Sequence, residues 1–370
     1  MKPAAFTLPL AALGLLLATA FARAEIVIGT AGPMSGTFAI FGAQMMAGAE
    51  QAIADINAAG GLLGEKLVLE VADDRCDRKQ AESVANQMVG RGIALMVGHL
   101  CSGASTVAST IYKDAGIIQI SPGASDPRYT DERPGPGTFR IGGRDDAQGV
   151  VAGKFLAEKF ADRRIAIVHD NSPYGQALAD ATRQAMNDAG KEETFSEAYP
   201  ASERDLTPLL ARVAAEAIDV LFFGGYHTEA GLIVRRMRED GLGTILVSGD
   251  ALLTEEFISI AGEAGEGSLM TYPPDASRKD SAAEVVAKLA AKSILPEGYV
   301  LHAYAAVEAW AAAVNAADSV DFASVTKALA DGSFETVLGT FEFDDKGDTT
   351  LPAYVMYEWR GGKYDYAPPM

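Results

Sequence analysis

Short continuous apolar runs ending in glycine or serine alternate along this chain with longer stretches of helical apolar spacing. Ile26–Gly29 has the pattern of a buried strand, and the GPMSG after it is a turn. Apolar spacing predicts a helix from Phe41 to Ala58, stopped by Gly60 and Gly61. LVLEV (Leu67–Val71) alternates and predicts a strand, after which Asp77 is placed to cap a helix running to Val89. IALMV (Ile93–Val97) and IIQI (Ile117–Ile120) read as strands on either side of a helix from Ser102 to Asp114. This β-α-β-α-β order predicts a parallel sheet with helices on both faces.

A segment rich in proline, glycine and charge, Asp126–Gly137, separates this series from a second one. FRIG (Phe139–Gly142) predicts a short strand. Then come a helix Ala147–Phe160, a strand Ile165–Asp170, helices Gly175–Ala189 and Leu206–Ala217, a strand Asp219–Gly225, a helix Glu229–Glu239 and a strand Ile245–Asp250. Beyond Tyr272 the pattern predicts helices at Ala283–Ala291, His302–Ala316 and Phe322–Ala330, then two β-like runs, Val337–Phe343 and Ala353–Trp359. The fold class is α/β with two lobes of the same grammar, and 370 residues suit two domains of roughly 150 each.

The N-terminus does not belong to either lobe. Lys2 precedes an apolar run from Ala4 to Phe21, and Ala22-Arg23-Ala24 forms an A-x-A cleavage site. The reading is a signal peptide over 1–24, cut after Ala24; the rival is an uncleaved membrane anchor, against which the small-residue site argues. No later stretch reaches the ~18 unbroken apolar residues of a membrane helix. The formal charge of -19 becomes -21 once Lys2 and Arg23 leave with the segment. So acidic a surface repels nucleic acid and anionic membranes, which excludes them as main partners. Cys76 and Cys101 are the only cysteines. An even pair in an exported chain predicts a disulfide rather than two buried thiols, tying two strand ends together.

Catalytic motifs are missing. The four histidines, His99, His169, His227 and His302, form no metal-binding spacing, and there is no GxSxG elbow, P-loop or dinucleotide fingerprint. Ser102 and Ser121 lie at strand ends without a histidine where the pattern would place a partner. His99 is near Ser102 only in sequence. Neither an enzyme nor a cofactor or metal protein is expected.

Ligands of open α/β sheets bind beyond the carboxyl ends of the strands. Those ends carry GHLCSGAS, SPGASDP, HDNSPYGQ, GGYHTEAG and SGDALL, a set of hydroxyls, a few carboxylates and two tyrosines. The residue types suit a zwitterion. Ser102, at a helix start, can hold a carboxylate, or it can simply cap its helix. Asp250 can face an ammonium, or it can cap the helix after it. Ser125 can bond either end of the ligand or stabilise its Pro-Gly turn. Phe41, Tyr174 and Tyr226 can wall a mostly apolar pocket or be ordinary core.

IGTAGPMSGTFAIFG, GAEQAIADINAAGGLLG, ADDRCDRKQAESVAN, VGHLCSGAS and ISPGASDP together resemble the periplasmic leucine/isoleucine/valine-binding proteins. RIAIVHDNSPYGQ, FFGGYHTEAG, LVSGD and FEFDDKGD continue the resemblance in order over the mature chain. It implies a type I periplasmic binding fold, two α/β lobes joined by three crossovers near Thr138–Gly143, Gly267–Pro273 and Gly347–Pro352. The expected first lobe is 25–140 with 273–349, and the second is 141–272 with 350–370. The resemblance further implies an exported, periplasmic, monomeric receptor that delivers a small amino acid to the permease of an ABC importer. Ser102 would hold the ligand carboxylate, Gly123 and its neighbour Ala124 would present backbone to the ligand, and Ser125 would contact both ends. Asp250 would pair with the ammonium, and Phe41, Tyr174 and Tyr226 would form the walls. The cysteine pair of the family matches Cys76 and Cys101.

Two positions depart from the leucine type, which often has Glu where Asp250 stands and Tyr where Phe41 stands. The shorter acid withdraws the anchoring carboxylate by roughly 1.3 Å, about one methylene. RDDAQG, HTEAGLI and VSGD with LPAYVMYEW resemble a subgroup with broader ligands, including γ-aminobutyrate. A branched-chain or aliphatic ligand is favoured, with γ-aminobutyrate or another small amino acid as the alternative. A cytoplasmic sensor and a receptor ectodomain are rival roles for the same fold; the leader and the lack of a membrane span speak against them.

Overall fold

The computed structural model describes residues 25–199, 205–352 and 354–368. The leader at 1–24, its cleavage site and Ala353 lie outside the described residues. Five strands form the first sheet: β1 (Glu25–Gly32), β2 (Lys66–Asp73), β3 (Leu95–Gly98), β4 (Ile118–Ser121) and β5 (Thr138–Arg140). They are all parallel, in the order β2-β1-β3-β4-β5. Helices α1 (Ala39–Ala58), α2 (Arg78–Gly90), α3 (Ser102–Ala115) and the single turn α4 (Arg128–Asp131) connect them. Strand β3 is buried throughout, as a parallel sheet covered on both faces requires.

Seven strands form the second sheet. These are β6 (Ile165–His169), β7 (Phe195–Ala198), β8 (Val220–Gly224), β9 (Ile245–Ser248), β10 (Leu269–Tyr272), β13 (Val355–Arg360) and β14 (Lys363–Tyr366), between which a separate hairpin, β11 (Ser333–Thr336) with β12 (Gly339–Glu342), intervenes in the chain. The order is β14-β13-β10-β9-β8-β6-β7, with β13 and β14 antiparallel to their neighbours. Helices α5 (Asp145–Lys159), α6 (Pro173–Asp188), α7 (Thr207–Ala215), α8 (His227–Glu239) and α9 (Glu255–Ala261) belong to this series. Then α10 (Ala283–Ala291), α11 (Val300–Ala317) and α12 (Phe322–Asp331) return to the first sheet, where α11 packs on α1, β3 and β4. Among the described residues no helix is long and apolar enough to cross a membrane.

Local chemistry sets many of these boundaries. Asp77 accepts from the Gln80 N–H at 2.8 Å and caps α2. Ser172 accepts from the Gly175 N–H at 2.9 Å, with Pro173 at the first helical position of α6. Cys76 and Cys101 are bridged, with Cα atoms 5.5 Å apart, joining the loops after β2 and β3.

The structure revises several sequence expectations. Strands β7 and β14 carry no strand pattern in the sequence because each is an edge strand with exposed positions and little apolar alternation. Leu269–Tyr272 is a buried strand rather than part of a crossover, so the chain leaves the second sheet only at Pro273. Thr138–Arg140 likewise belongs to the first sheet, and the first crossing begins at Ile141. The run Val337–Phe343 is not one strand. Gly339, at φ +97, turns the chain into the hairpin of β11 and β12.

All three crossings meet around one cavity of about 110 Å³, lined by Ile141–Arg144, Pro273, Asp348 and Pro352 among others. Arg140 is fully buried there. Its Nε donates to Asp348 at 2.8 Å, and its Nη1 donates to the carbonyls of Ala124 and Asp126 at 2.8 and 3.0 Å. Arg144 donates to the other Asp348 oxygen at 2.7 Å. Burial alone would raise the Asp348 pKa, but the two guanidinium groups and Thr130 hold it below the usual value.

Helices α1 and α11 of the first lobe pack at close range. A Cβ built on Gly48 would lie 2.0 Å from the Val300 carbonyl oxygen, so only glycine permits this approach. Gly48→Ala is expected to cost about 1–3 kcal/mol by overpacking. The readout is a lower urea midpoint at unchanged slope; an unshifted midpoint would show that the helices separate freely.

Candidate functional site

Each sheet reverses its strand order once, between β1 and β3 in the first and between β6 and β8 in the second. Crevices open at such reversals. The loops after these strands face each other, and their side chains meet in a buried cleft between the lobes.

On the first lobe, Ser102 is the first residue of α3, and extended Cys101 occupies the capping position. Ser102 therefore does not cap its own helix. Its Oγ accepts from the N–H groups of Ser125 and Asp126, both at 3.2 Å. A serine oxygen has two lone pairs and one proton. With both lone pairs engaged, the hydroxyl can only donate, which suits an anionic acceptor. Ser125 is buried, and its Oγ has no hydrogen-bond partner among the described residues. Ala124 is fully buried, with its N–H on Ser121 Oγ at 2.9 Å and its carbonyl on Arg140. Gly123 lies beside it in a small cavity shared with Ser125, Asp250 and Tyr299.

A buried network steadies this turn from behind. His99 Nδ1 lies 2.5 Å from Asp74 and its Nε2 3.0 Å from the Tyr112 hydroxyl. The His99 carbonyl accepts from Ser105 and Ser121 at 2.9 and 2.6 Å. The imidazole thus serves the loop and does not address Ser102.

On the second lobe, Asp250 is a hub rather than a helix cap. Its Oδ1 accepts from the Tyr174 hydroxyl at 2.8 Å and Gln148 Nε2 at 3.1 Å, and its Oδ2 accepts from the Tyr299 hydroxyl at 2.9 Å. Tyr299 precedes α11 of the first lobe, so this last bond crosses the cleft. Phe41 packs edge-on against Tyr299 and His227, with centroids 5.6 and 5.0 Å apart. Tyr226 sits 5.1 Å from Tyr174 and 4.4 Å from Phe38. Phe41, Tyr174, Tyr226, Ser102, Ser125 and Asp250 are therefore brought to the one cleft.

Sequence reasoning missed Asp145, Gln148 and Tyr299, as well as Tyr354, which lines the small cavity with Ser125 and Asp250. Asp145 opens α5, and its N–H donates to the Ser125 carbonyl at 2.8 Å. Its side chain is fully buried, and neither carboxyl oxygen has a partner among the described residues, although the Ser125 hydroxyl lies close enough to favour the ionised form. Burial first, and then the charge of Asp250, push the Asp145 carboxyl well above the usual carboxylate range. Burial also raises Asp250, opposed by its three donors. Two buried carboxyl groups thus lie near each other, while the nearby guanidinium, Arg140, already serves Asp348. The stretch RDDAQG carried the available signal for Asp145 and Gln148.

Two α/β lobes closing polar strand ends on each other make a receptor that encloses a small ligand, the type I periplasmic binding fold. A model of the periplasmic binding protein family matches residues 25–363, and the chain belongs to that family. It is 44% identical over 349 residues to the "Leu/Ile/Val-binding protein homolog 1" of Brucella melitensis, covering 93% of this chain and 94% of that one. It is equally 44% identical over 351 residues to an "Amino acid binding protein" of Pseudomonas aeruginosa, covering 94% of each. Among solved structures, the branched-chain amino acid transporter substrate-binding protein LivJ of Streptococcus pneumoniae, in complex with isoleucine, superposes with a TM-score of 0.85. Its identity is 26%, over 94% of this chain and all of that one.

Because the folded pKa of Asp145 is raised above 3.8, the native protein holds a proton that the unfolded chain releases. The resulting stability is full below about 3.8 and declines as pH rises through the folded pKa. Asp145→Asn is expected to remove this decline, so that the ligand-free variant is more stable than wild type at pH 8. Urea midpoints from pH 4 to 8 test this; parallel profiles would mean that Asp145 titrates as a solvated acid.

Proposed function

We propose that this protein is an exported receptor that captures a small amino acid between its lobes and delivers it to the permease of an inner-membrane ABC importer. The carrying observation is the polarity of the cleft: Ser102 as a donor on one lobe, facing the buried carboxyl pair Asp145 and Asp250. A zwitterion matches that polarity end for end. Its carboxylate takes the Ser102 and Ser125 hydroxyls, and its ammonium supplies the positive charge between the two acids. Phe41, Tyr174, Tyr226 and Tyr299 enclose the rest. A branched-chain or aliphatic amino acid is the favoured ligand, a reading supported by the names of the relatives and the isoleucine bound to the pneumococcal neighbour. The second reading, γ-aminobutyrate, draws on the short acid Asp250, which leaves room for an amine further from its carboxylate.

The lobes in this reading are 25–140 with 273–349, and 141–272 with 350–370. Export proceeds with cleavage after Ala24 to a periplasmic monomer. The role is capture rather than catalysis, since the cleft histidine His227 lies against Phe41 and Glu256, and His99 is committed to Asp74 and Tyr112.

Calorimetric titration with leucine and γ-aminobutyrate tests the assignment. Asp250→Asn keeps the shape but removes a counter-ion, and affinity should fall by roughly 3 kcal/mol or more. Asp250→Glu should move the ranking toward leucine. Unchanged affinity in the Asn variant would leave Asp250 as scaffold only. An unmoved ranking in the Glu variant would show that acid length does not set specificity.

A further inference from the structure

Three successive residues of the first lobe reach across to the second. Glu297, Gly298 and Tyr299 run into α11 and are held by Gln44 of α1. Gln44 Nε2 donates to Glu297 at 3.4 Å, and its Oε1 accepts from the Tyr299 N–H at 3.2 Å. Tyr299 donates its hydroxyl to Asp250 at 2.9 Å, and the Gly298 carbonyl accepts from the Tyr272 hydroxyl of β10. Glu297 meets the start of α9, where the Glu255 N–H lies close enough to favour its ionised form. A cavity of about 270 Å³ lies beside it, lined also by Glu255, Leu295, Trp359, Lys363 and Tyr364. We propose that this strap is a proton-linked latch: Glu297 takes up a proton as the lobes close, so that acid tightens ligand capture. The proposal rests on reading the cleft as an amino-acid receptor and adds a regulation to it.

The argument is one of a charge set at an interface without a counter-ion. Glu297 is half-buried, and among the described residues no cation pairs with it. Burial first, and then the charge of Glu255, push its carboxyl up to about 7, against the Glu255 N–H and Gln44. The other groups around it do not reverse this. Glu256, next on α9, lies 3.2 Å from His227. Lys363, on the β13–β14 hairpin, is exposed, and water screens it. Tyr364 beside it is held neutral by burial and by Glu297 itself, and Asp275 near that ring is paired with Arg278 at 2.9 Å. A carboxyl in water titrates near ~4.3. On the proposed reading, separation of the lobes returns Glu297 to water, so the closed state holds a proton that the open one releases between about 4.3 and about 7. Linkage then strengthens closure as pH falls through that window. The path to the ligand is short, since the same strap carries Tyr299 to Asp250. Glu308, also pushed up to about 7, accepts from the Val337 N–H at 2.9 Å within the first lobe and does not cross the cleft. Asp145 and His227 pull the other way: a ligand ammonium favours ionised Asp145, and burial of His227, which holds it down to about 4, opposes closure in acid.

The test subtracts those opposing groups by comparing wild type with Glu297→Gln, which has the shape of the protonated acid. Leucine and γ-aminobutyrate are titrated by calorimetry at pH 6 and pH 8, each in two buffers of different ionisation enthalpy, so that protons taken up on binding are counted. At pH 8 the Gln variant should bind at least about tenfold more tightly than wild type, and the gap should shrink by about tenfold at pH 6. Wild type should take up about one more proton per ligand than the variant at pH 6. A variant that binds no more tightly than wild type at pH 8, or that takes up as many protons, would overturn the latch while binding of either amino acid still upheld the receptor. Failure of both amino acids to bind would overturn both. If the Gln variant does not fold, Glu297→Ser, which removes the acid outright, must lose the same proton.

Discussion

One buried guanidinium holds the turn carrying Ser125 and the crossing of the chain in a single arrangement. Arg140 ends the last strand of the first sheet and spends its donors on the carbonyls of Ala124 and Asp126, on Thr130 and on Asp348. A buried charge is tolerated only when it is paired and its remaining donors are satisfied. Here that requirement fixes three separate segments at once: the turn carrying Ser125, the first crossover and the return crossover at Asp348. Replacing Asp348 would leave Arg140 uncompensated, a larger loss than the pair's net contribution.

The cleft treats its own charges in the opposite way. Among the described residues no cationic side chain pairs with Asp145 or Asp250, and the charge of Asp250 raises the cost of ionising Asp145. Three neutral donors temper Asp250, while Asp145 has none within bonding geometry. In an open arrangement water can solvate both; in the closed one they need a cation. On the proposed reading the ligand ammonium is that cation, so it binds the closed state better than the open one and shifts the population toward it. The Tyr299–Asp250 bond joins the lobes through the same carboxylate, which couples the charge that needs neutralising to a contact across the cleft.

Much of this was legible in the chain because parallel sheets present function at predictable places. Ser102, Ser125, Tyr174, Tyr226 and Asp250 all come after strands whose apolar runs are unmistakable, so reading the residues beyond each strand finds them. Asp145 and Gln148 escaped because they open a helix after a crossover, where acids are ordinary. Tyr299 escaped for a different reason. It precedes α11, some fifty residues beyond Asp250, and reaches the cleft only because α11 packs on the first sheet. Edge strands β7 and β14 were hidden by their exposure, and β10 by its place beside an anticipated crossover. What local pattern cannot convey is which distant segments close over a strand end.

The role of Ser102 shows how such distant contacts sharpen a residue's chemistry. Read alone, a serine at a helix start is an acceptor for backbone N–H groups, that is, a cap. In the folded protein it is still an acceptor, but of the N–H groups of Ser125 and Asp126 from the next loop. Satisfying them uses up its lone pairs and leaves a proton to donate. The turn that positions Ser125 thereby also decides the polarity of Ser102, which on the proposed reading meets the ligand as a donor. Across the cleft, the carboxyl pair can only accept when ionised. On the proposed reading the ligand carries an acceptor at one end and a positively charged donor at the other, in a fixed order from first lobe to second. That polarity comes from backbone hydrogen bonding within one turn and from two acids left without a cationic partner, and no single motif in the sequence encodes it.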